Sequence, residues 1–327
     1  MIRLIITKTP LRISLFGGGT DLESFWHAEE GCVLSTAIDK YIYVIVKERF
    51  DEMIYLGYSQ KEIVSSVNEV WHDLIREAMR LTGVSRGVEI VTLADIPSSG
   101  SGLGSSSSLT VGLLNALYTY QGEIVPAETL ARQACQIEIE VLGRPIGKQD
   151  QYIAAYGGLR SFRFLPDGTV DLEAVPCTAE TRRDLRDHLL LFYTGVGRKA
   201  ESILAEQNDR VPETRGLLRQ MRDQAKTARN ALARGDVRCL GSLMKEAWNL
   251  KRQLSSKISN PAIEEMVQRA YGAGALGAKI TGAGGGGFLL VFAPPETHTA
   301  VRRALSELKE FDFQFAREGS KVMLDAR

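Results

Sequence analysis

Pro97-Ser-Ser-Gly-Ser-Gly-Leu-Gly-Ser-Ser-Ser-Ser-Leu-Thr110 decides how this chain is read. Three glycines, Gly100, Gly102 and Gly104, free the backbone for a tight turn. Leu109, Leu113, Leu114, Ala116 and Leu117 then follow at helix spacing. The run before the turn, Val88-Glu-Ile-Val-Thr-Leu93, has strand-forming residues, so the order is strand, glycine turn, helix. A helix that opens on such a turn presents unpaired backbone N–H groups at the positive end of its dipole, which favours phosphate. Pro97, Ser99, Gly100, Ser101, Gly102, Leu103, Gly104, Ser105, Ser106 and Ser107 are therefore expected to cradle the phosphates of a nucleotide. The plain alternative is an exposed turn with a serine-rich cap. The loop lacks the Gly-Lys-Ser/Thr of a Walker A motif, which excludes a P-loop NTPase. The Ser106 hydroxyl also suits a magnesium shell, because hard cations take oxygen ligands.

Two more stretches are dense in glycine. Leu11-Arg-Ile-Ser-Leu-Phe-Gly-Gly-Gly-Thr-Asp21 starts as an alternating strand, with Arg12 and Ser14 on the face opposite Ile13 and Leu15. Arg12 is either a surface charge or a phosphate clamp. Asp21, after Gly17, Gly18, Gly19 and Thr20, either caps the segment holding Phe25 and Trp26 or binds sugar hydroxyls. Gly282-Ala-Gly-Gly-Gly-Gly287 precedes a strand, so it is a packed hairpin or a wall of the active site, with Gly284 and Gly285 at its centre.

Two carboxylates stand out. Helix spacing sets Glu138 among Ala131, Ala134, Cys135, Val141 and Leu142, while Glu140 aligns with Gln133 and Gln136. An acid on an apolar face needs a partner, so Glu138 is a magnesium ligand or half of a buried salt bridge. The loop Gly143-Arg-Pro-Ile-Gly-Lys-Gln-Asp150 delivers Asp150, a cap or a catalytic group. His27, His72, His188 and His298 show no metal spacing, and Trp71 and Trp248 read as core residues of amphipathic helices.

The chain has 327 residues, with 40 Lys+Arg against 40 Asp+Glu, and so no nucleic-acid footprint in its total charge. Cys32, Cys135, Cys177 and Cys239 are scattered, as expected of free thiols in a reducing, cytoplasmic setting. The first residues read as a strand rather than a leader, and no apolar run is long enough for a membrane span. Strands are expected at 2–7, 11–16, 41–47, 88–93, 159–165, 170–175, 189–193, 288–292 and 311–315. Helices are expected at 68–81, 106–120, 126–142, 215–233, 239–254, 261–272 and 296–310. This is an α+β order, not a βαβ repeat, and a second region begins near Arg186.

Taken together, Pro10-Leu-Arg-Ile-Ser-Leu-Phe-Gly-Gly-Gly-Thr-Asp21, Pro97-Ser-Ser-Gly-Ser-Gly-Leu-Gly-Ser-Ser106 and Lys279-Ile-Thr-Gly-Ala-Gly-Gly-Gly-Gly-Phe288 resemble the three motifs of the GHMP small-molecule kinases, in order across almost the whole chain. The resemblance implies a ribosomal protein S5 domain 2-like N-terminal domain over residues 1–185 and a ferredoxin-like C-terminal domain over 186–327, with ATP between them. It implies that Ser106 and Glu138 hold Mg²⁺, that Asp150 is the general base or orienting carboxylate, and that Arg12 stabilises Asp150 and the transferring phosphoryl group. Ser14, Gly17, Gly18, Gly19, Thr20, Asp21, Gly284 and Gly285 would face the acceptor. Lys148, Arg144, Arg198 and Lys199 are candidates for an acceptor phosphate. The Gly-Glu-His of many members is absent before Thr20, which weighs against galactokinase, and the loop before Asp150 is one residue longer than the usual form. The glycine motif, with Pro-Ile-Gly-Lys-Gln-Asp-Gln-Tyr152 and Phe192-Tyr-Thr-Gly195, looks like the branch acting on D-glycero-α-D-manno-heptose 7-phosphate. Fucokinase-type enzymes are the nearest rival. That branch implies the 1,7-bisphosphate as product, on the way to GDP-heptose, in a monomer or homodimer. A catalytically inactive sugar-phosphate sensor on the same fold is the alternative of another class.

Overall fold

The computed structural model describes residues 3–97, 100–197 and 200–326. In chain order the first part holds β1 (Leu4–Phe16), α1 (Glu23–Trp26), β2 (Gly31–Glu48), β3 (Ile54–Gly57), β4 (Lys61–Val64), α2 (Asp73–Thr82), β5 (Val88–Ala94) and α3 (Ser105–Gln121). Then come α4 (Ala127–Cys135), α5 (Gln149–Tyr156), β6 (Leu159–Phe164), β7 (Val170–Ala174), α6 (Ala179–Asp187) and β8 (Leu189–Tyr193). The rest comprises α7 (Ala200–Asp209), α8 (Val211–Ala233), α9 (Cys239–Lys251), α10 (Pro261–Gly272), β9 (Gly277–Ile280), β10 (Phe288–Phe292), α11 (His298–Ala304), β11 (Lys309–Glu310) and β12 (Lys321–Ala326).

These strands make two sheets. The larger runs β12-β1-β2-β5-β3-β4, with β6 and β7 continuing from the far end of β2; the smaller runs β11-β8-β10-β9. The fold is thus the expected two-part α+β type, a mixed sheet followed by a smaller antiparallel one. The C-terminal strand β12 returns to pair with β1 (Leu4 opposite Ala326), so the end of the chain belongs to the first sheet.

The long strand β2 organises the first sheet. Its residues 31–36 pair with β6, 42–48 pair with β5, and nearly its whole length pairs with β1. Helix α3 lies close on this sheet because Gly112 has no side chain: a Cβ there would stand 2.8 Å from Thr9 Oγ1. The Ser108 hydroxyl donates to the Pro10 carbonyl at 2.8 Å and fixes the same approach. Helix α8 joins the two cores. Ala225, Ala228, Ala231 and Leu232 pack into the first, while Val211, Leu218 and Met221 pack into the second.

Several expectations need correction. The two strands expected around Pro10 are one strand, because a register shift between Pro10 and Leu11 absorbs the proline without a break. Trp71 is 83% exposed rather than core, since α2 starts only at Asp73 and a short 3₁₀ turn covers Val67–Glu69. Trp248 is buried. Val141 is exposed because the helix after Cys135 widens into a π turn over Gln136–Val141, which rotates the following side chains. Residues 311–315 make only a single bridge, Phe315 to Ile38. The short helices α5, α6 and α7 and the strands β9 and β12 carry too little periodicity to read from sequence.

Candidate active site

The glycine turn delivers the N-terminus of α3. Gly100, Gly102 and Gly104 all have positive φ, +73°, +72° and +79°, where a side chain would be strained. Gly104 is the N-cap and supplies no side-chain cap, so the first-turn N–H groups of α3 remain available. The second glycine run lies directly behind the turn. A Cβ at Gly282 would stand 2.6 Å from Gly102 Cα, and one at Gly102 would stand 2.7 Å from the Thr281 carbonyl.

Asp150 and Arg12 meet at the mouth of this turn. Asp150 lies in the first turn of α5, not in a loop as the sequence reading had it. Arg12, buried on β1, donates to both Asp150 oxygens at 2.7 and 2.6 Å and to the Gly102 carbonyl at 2.6 Å. The missing Cβ of Gly104 would be 3.1 Å from Arg12 Cγ and 3.4 Å from Asp150 Oδ2, so the helix start and the carboxylate are adjacent.

Glu138 is fully buried in the π turn. It accepts from Ser106 Oγ at 3.0 Å, and the Arg144 guanidinium stands 3.7 Å away. Burial pushes its carboxyl up to about 7, with Arg144 and the neighbouring serine hydroxyls pulling the other way. Of the two readings offered by the sequence, the structure shows the buried ion pair with Arg144, and the same carboxylate also faces the Ser106 hydroxyl. Ser106 and Glu138 offer oxygen donors that fit a hard cation. Among the described residues no group of three or more His, Cys, Asp or Glu could hold a metal.

Asp21 does not cap α1. The N-cap there is Leu22, with no side-chain hydrogen bond. Asp21 is instead buried and accepts from the Gly19 N–H and from Gln149 Nε2, both at 2.9 Å. Burial raises its pKa above the usual carboxylate value, and the nearby Asp150 charge adds to this.

Two cavities meet at the Arg12–Asp150 pair. The wider is walled by the glycine turn, by Ser105, Ser106 and Ser107, and by Arg144. The narrower is walled by Ser14, Gly18, Gly19, Asp21, Gln149, Gln207, Lys251 and Lys279. Arg12, Ile146, Asp150, Leu204, Gly282 and Ala283 line both. Several candidates sit elsewhere. Gly284 and Gly285 turn onto Ile258, which accepts from the Gly285 N–H at 2.6 Å. Lys148 donates to the Gly168 carbonyl and lies over the Trp26 ring. Thr20 bonds the carbonyls of Gly17 and Cys32, and Gly17 packs against Cys32. Pro97 is exposed and Leu103 is core, and neither is among the residues lining these two cavities. Ser99, Arg198 and Lys199 lie outside the described residues.

Among the polar residues lining the narrow cavity, Gln149, Gln207, Lys251 and Lys279 escaped the sequence reading. Lys251 donates to the carbonyls of Ile280 and Gly282, and Lys279 donates to those of Ser14 and Leu15 at 3.0 and 2.9 Å. Burial lowers the Lys279 ammonium to about 7, with the Arg12 charge adding to the effect. Lys279 sits in a quoted motif, but only the fold shows where it points. This arrangement can hold a polyphosphate chain on one side of a carboxylate and a polar acceptor on the other.

The family model described as GHMP kinases N terminal domain matches residues 66–158, and that described as GHMP kinases C terminal matches residues 228–311. A D-glycero-alpha-D-manno-heptose 7-phosphate kinase of Campylobacter jejuni is 29% identical over 98% of this chain and 99% of its own. A mevalonate kinase of Methanothermobacter thermautotrophicus is 35% identical over 68% of this chain and 70% of its own. Among solved structures, a D-glycero-D-manno-heptose 1-phosphate kinase from Bacteriodes thetaiotaomicron is similar with a TM-score of 0.81 and 25% identity, covering 98% of this chain and 99% of that one.

Proposed function

Because the chain belongs to the GHMP kinases and is an ATP-dependent sugar kinase of that family, we propose that its acceptor is the anomeric hydroxyl of D-glycero-α-D-manno-heptose 7-phosphate and its product the 1,7-bisphosphate. One observation carries the reading: the Arg12–Asp150 pair stands on the boundary between a cavity edged by helix N–H groups and a cavity edged by polar side chains.

Phosphoryl transfer asks a protein for position and charge more than for covalent chemistry. The N–H groups that open α3 hold the phosphate chain. Asp150 orients the attacking hydroxyl and takes its proton, and Arg12 fixes the Asp150 carboxylate through two hydrogen bonds. Ser106 and Glu138 would hold Mg²⁺, which would neutralise developing phosphate charge. An anomeric hydroxyl is more acidic than an ordinary alcohol, so the demand on Asp150 as a base is moderate.

The narrow cavity offers the acceptor groups of both signs, Arg12 and Lys251 beside Asp21 and Asp150, with the buried Lys279 amine next to them. The full-length similarity to a heptose 7-phosphate kinase supports the proposed acceptor.

The test is an acceptor panel of heptose 7-phosphate, fucose, galactose, mannose and mevalonate, with product regiochemistry read by phosphorus NMR. The proposal expects turnover of the heptose 7-phosphate with a new phosphate at C1. Equal turnover of unphosphorylated fucose would overturn it.

A further inference from the structure

Gly18 is a glycine that the backbone does not require. Its neighbours Gly17 and Gly19 have φ of +82° and +101°, and a Cβ at either would collide, with the Cys32 carbonyl at 2.0 Å or Gln207 Nε2 at 2.3 Å. Gly18 has no positive φ, and its Cβ would meet only Ser14 Oγ at 3.4 Å and Gln149 Nε2 at 3.7 Å, which are ordinary contacts. An alanine would be accepted there by both conformation and packing. The space it would fill belongs to the narrow cavity.

That space has polar walls with unspent hydrogen-bonding capacity. Ser14 is 6% exposed and Gln149 is 7% exposed, yet Ser14 Oγ and Gln149 Oε1 are both buried without a hydrogen-bond partner in the protein. Gln149 uses its Nε2 to hold Asp21, which leaves the carbonyl oxygen to accept. Gln207, 3% exposed, closes the cavity over Gly19. A buried polar atom left unpaired costs about 1–3 kcal/mol, so such atoms beside a cavity mark where a ligand's polar group sits.

We propose that the bare face of Gly18 seats a hydroxyl-bearing carbon of the acceptor, read by Ser14 Oγ and Gln149 Oε1, and that this subsite selects polyhydroxylated acceptors by size and hydrogen bonding. The inference rests on the sugar kinase reading above. The acceptor hydroxyl accepts from the Ser14 O–H and donates to Gln149 Oε1. Ser14 and Gln149 act here in specificity, and neither touches the transferring phosphoryl group.

The experiment compares wild type with Gly18→Ala and Ser14→Ala, measuring KM and kcat for heptose 7-phosphate, KM for ATP, and the melting temperature. One surplus methyl in a fitted pocket is worth about 10- to 200-fold in discrimination. Gly18→Ala is expected to raise the acceptor KM by about that factor, and Ser14→Ala by about 10-fold, the effect of one lost hydrogen bond. KM for ATP and the melting temperature should not move. An unchanged acceptor KM in both variants would overturn the subsite and leave the kinase reading standing. Equal losses toward ATP and acceptor would overturn it too, since they mark a general defect of the fold. Failure of wild type to phosphorylate any sugar would instead overturn the kinase reading, and the subsite with it.

Discussion

Arg12 fixes the carboxylate of Asp150. Two short hydrogen bonds from the guanidinium fix both carboxylate oxygens, and a third ties the same group to the glycine turn. A lysine cannot reproduce that fork, because its ammonium is a single point charge. Arg12→Lys is therefore expected to lower kcat by about 10- to 100-fold, the value of one or two charge-assisted hydrogen bonds. Asp150→Asn keeps the shape and removes the base. It is expected to lower kcat by about 10²–10⁴-fold while leaving KM for ATP close to wild type. Steady-state kinetics with the heptose 7-phosphate check both, and near-wild-type turnover in Asp150→Asn would remove Asp150 from the chemistry.

At the scale of elements, the glycine turn was legible because its signal is local. Positive-φ glycines, a preceding strand and a helix stripe all fall in the one continuous stretch from Val88 to Leu117. Glu138 was legible because an acid among apolar helix positions is conspicuous, even though the π turn that buries it was not foreseen. The narrow cavity was largely illegible. Gln149 opens an eight-residue helix, Gln207 sits in a ten-residue helix of mixed polarity, and Lys251 ends a helix whose apolar stripe says nothing of its last residue. Their meeting depends on α8 crossing both cores, a tertiary fact with no local trace. The same local logic makes the turn fragile. Gly102→Ala would demand a left-handed alanine and press its Cβ to 2.7 Å from the Thr281 carbonyl. It is expected to destabilise the protein by about 1–3 kcal/mol, measured as a lower urea midpoint at unchanged slope. An unchanged midpoint would mean that the turn relaxes freely, and the fixed geometry of the cradle would have to be given up.

At the scale of the whole molecule, a buried lysine amine links the two sheets beside the site. Lys279 projects from β9 of the smaller sheet and donates to the Ser14 and Leu15 carbonyls of β1, the strand that carries Arg12. The two sheets are thus pinned together beside the Arg12–Asp150 pair. This pin has a pH signature. Burial lowers the Lys279 pKa from 10.5 to about 7, so between those values the unfolded chain binds a proton that the folded chain has released. Stability from this group must then rise with pH across that window, with a slope of at most about 1.4 kcal/mol per pH unit for one proton. Below pH 7 both states are protonated and the slope vanishes. Lys279→Met lacks the group altogether. The stability difference, wild type minus Lys279→Met, is therefore expected to be flat from pH 5.5 to 6.5 and to climb in favour of wild type from pH 7.5 to 9.5. Parallel urea titrations of the two proteins read that difference directly, and the other titrating groups cancel between them. A difference that stays flat or falls over the alkaline range would show that the ammonium keeps its proton in the fold, and that the link between the sheets is charged rather than neutral.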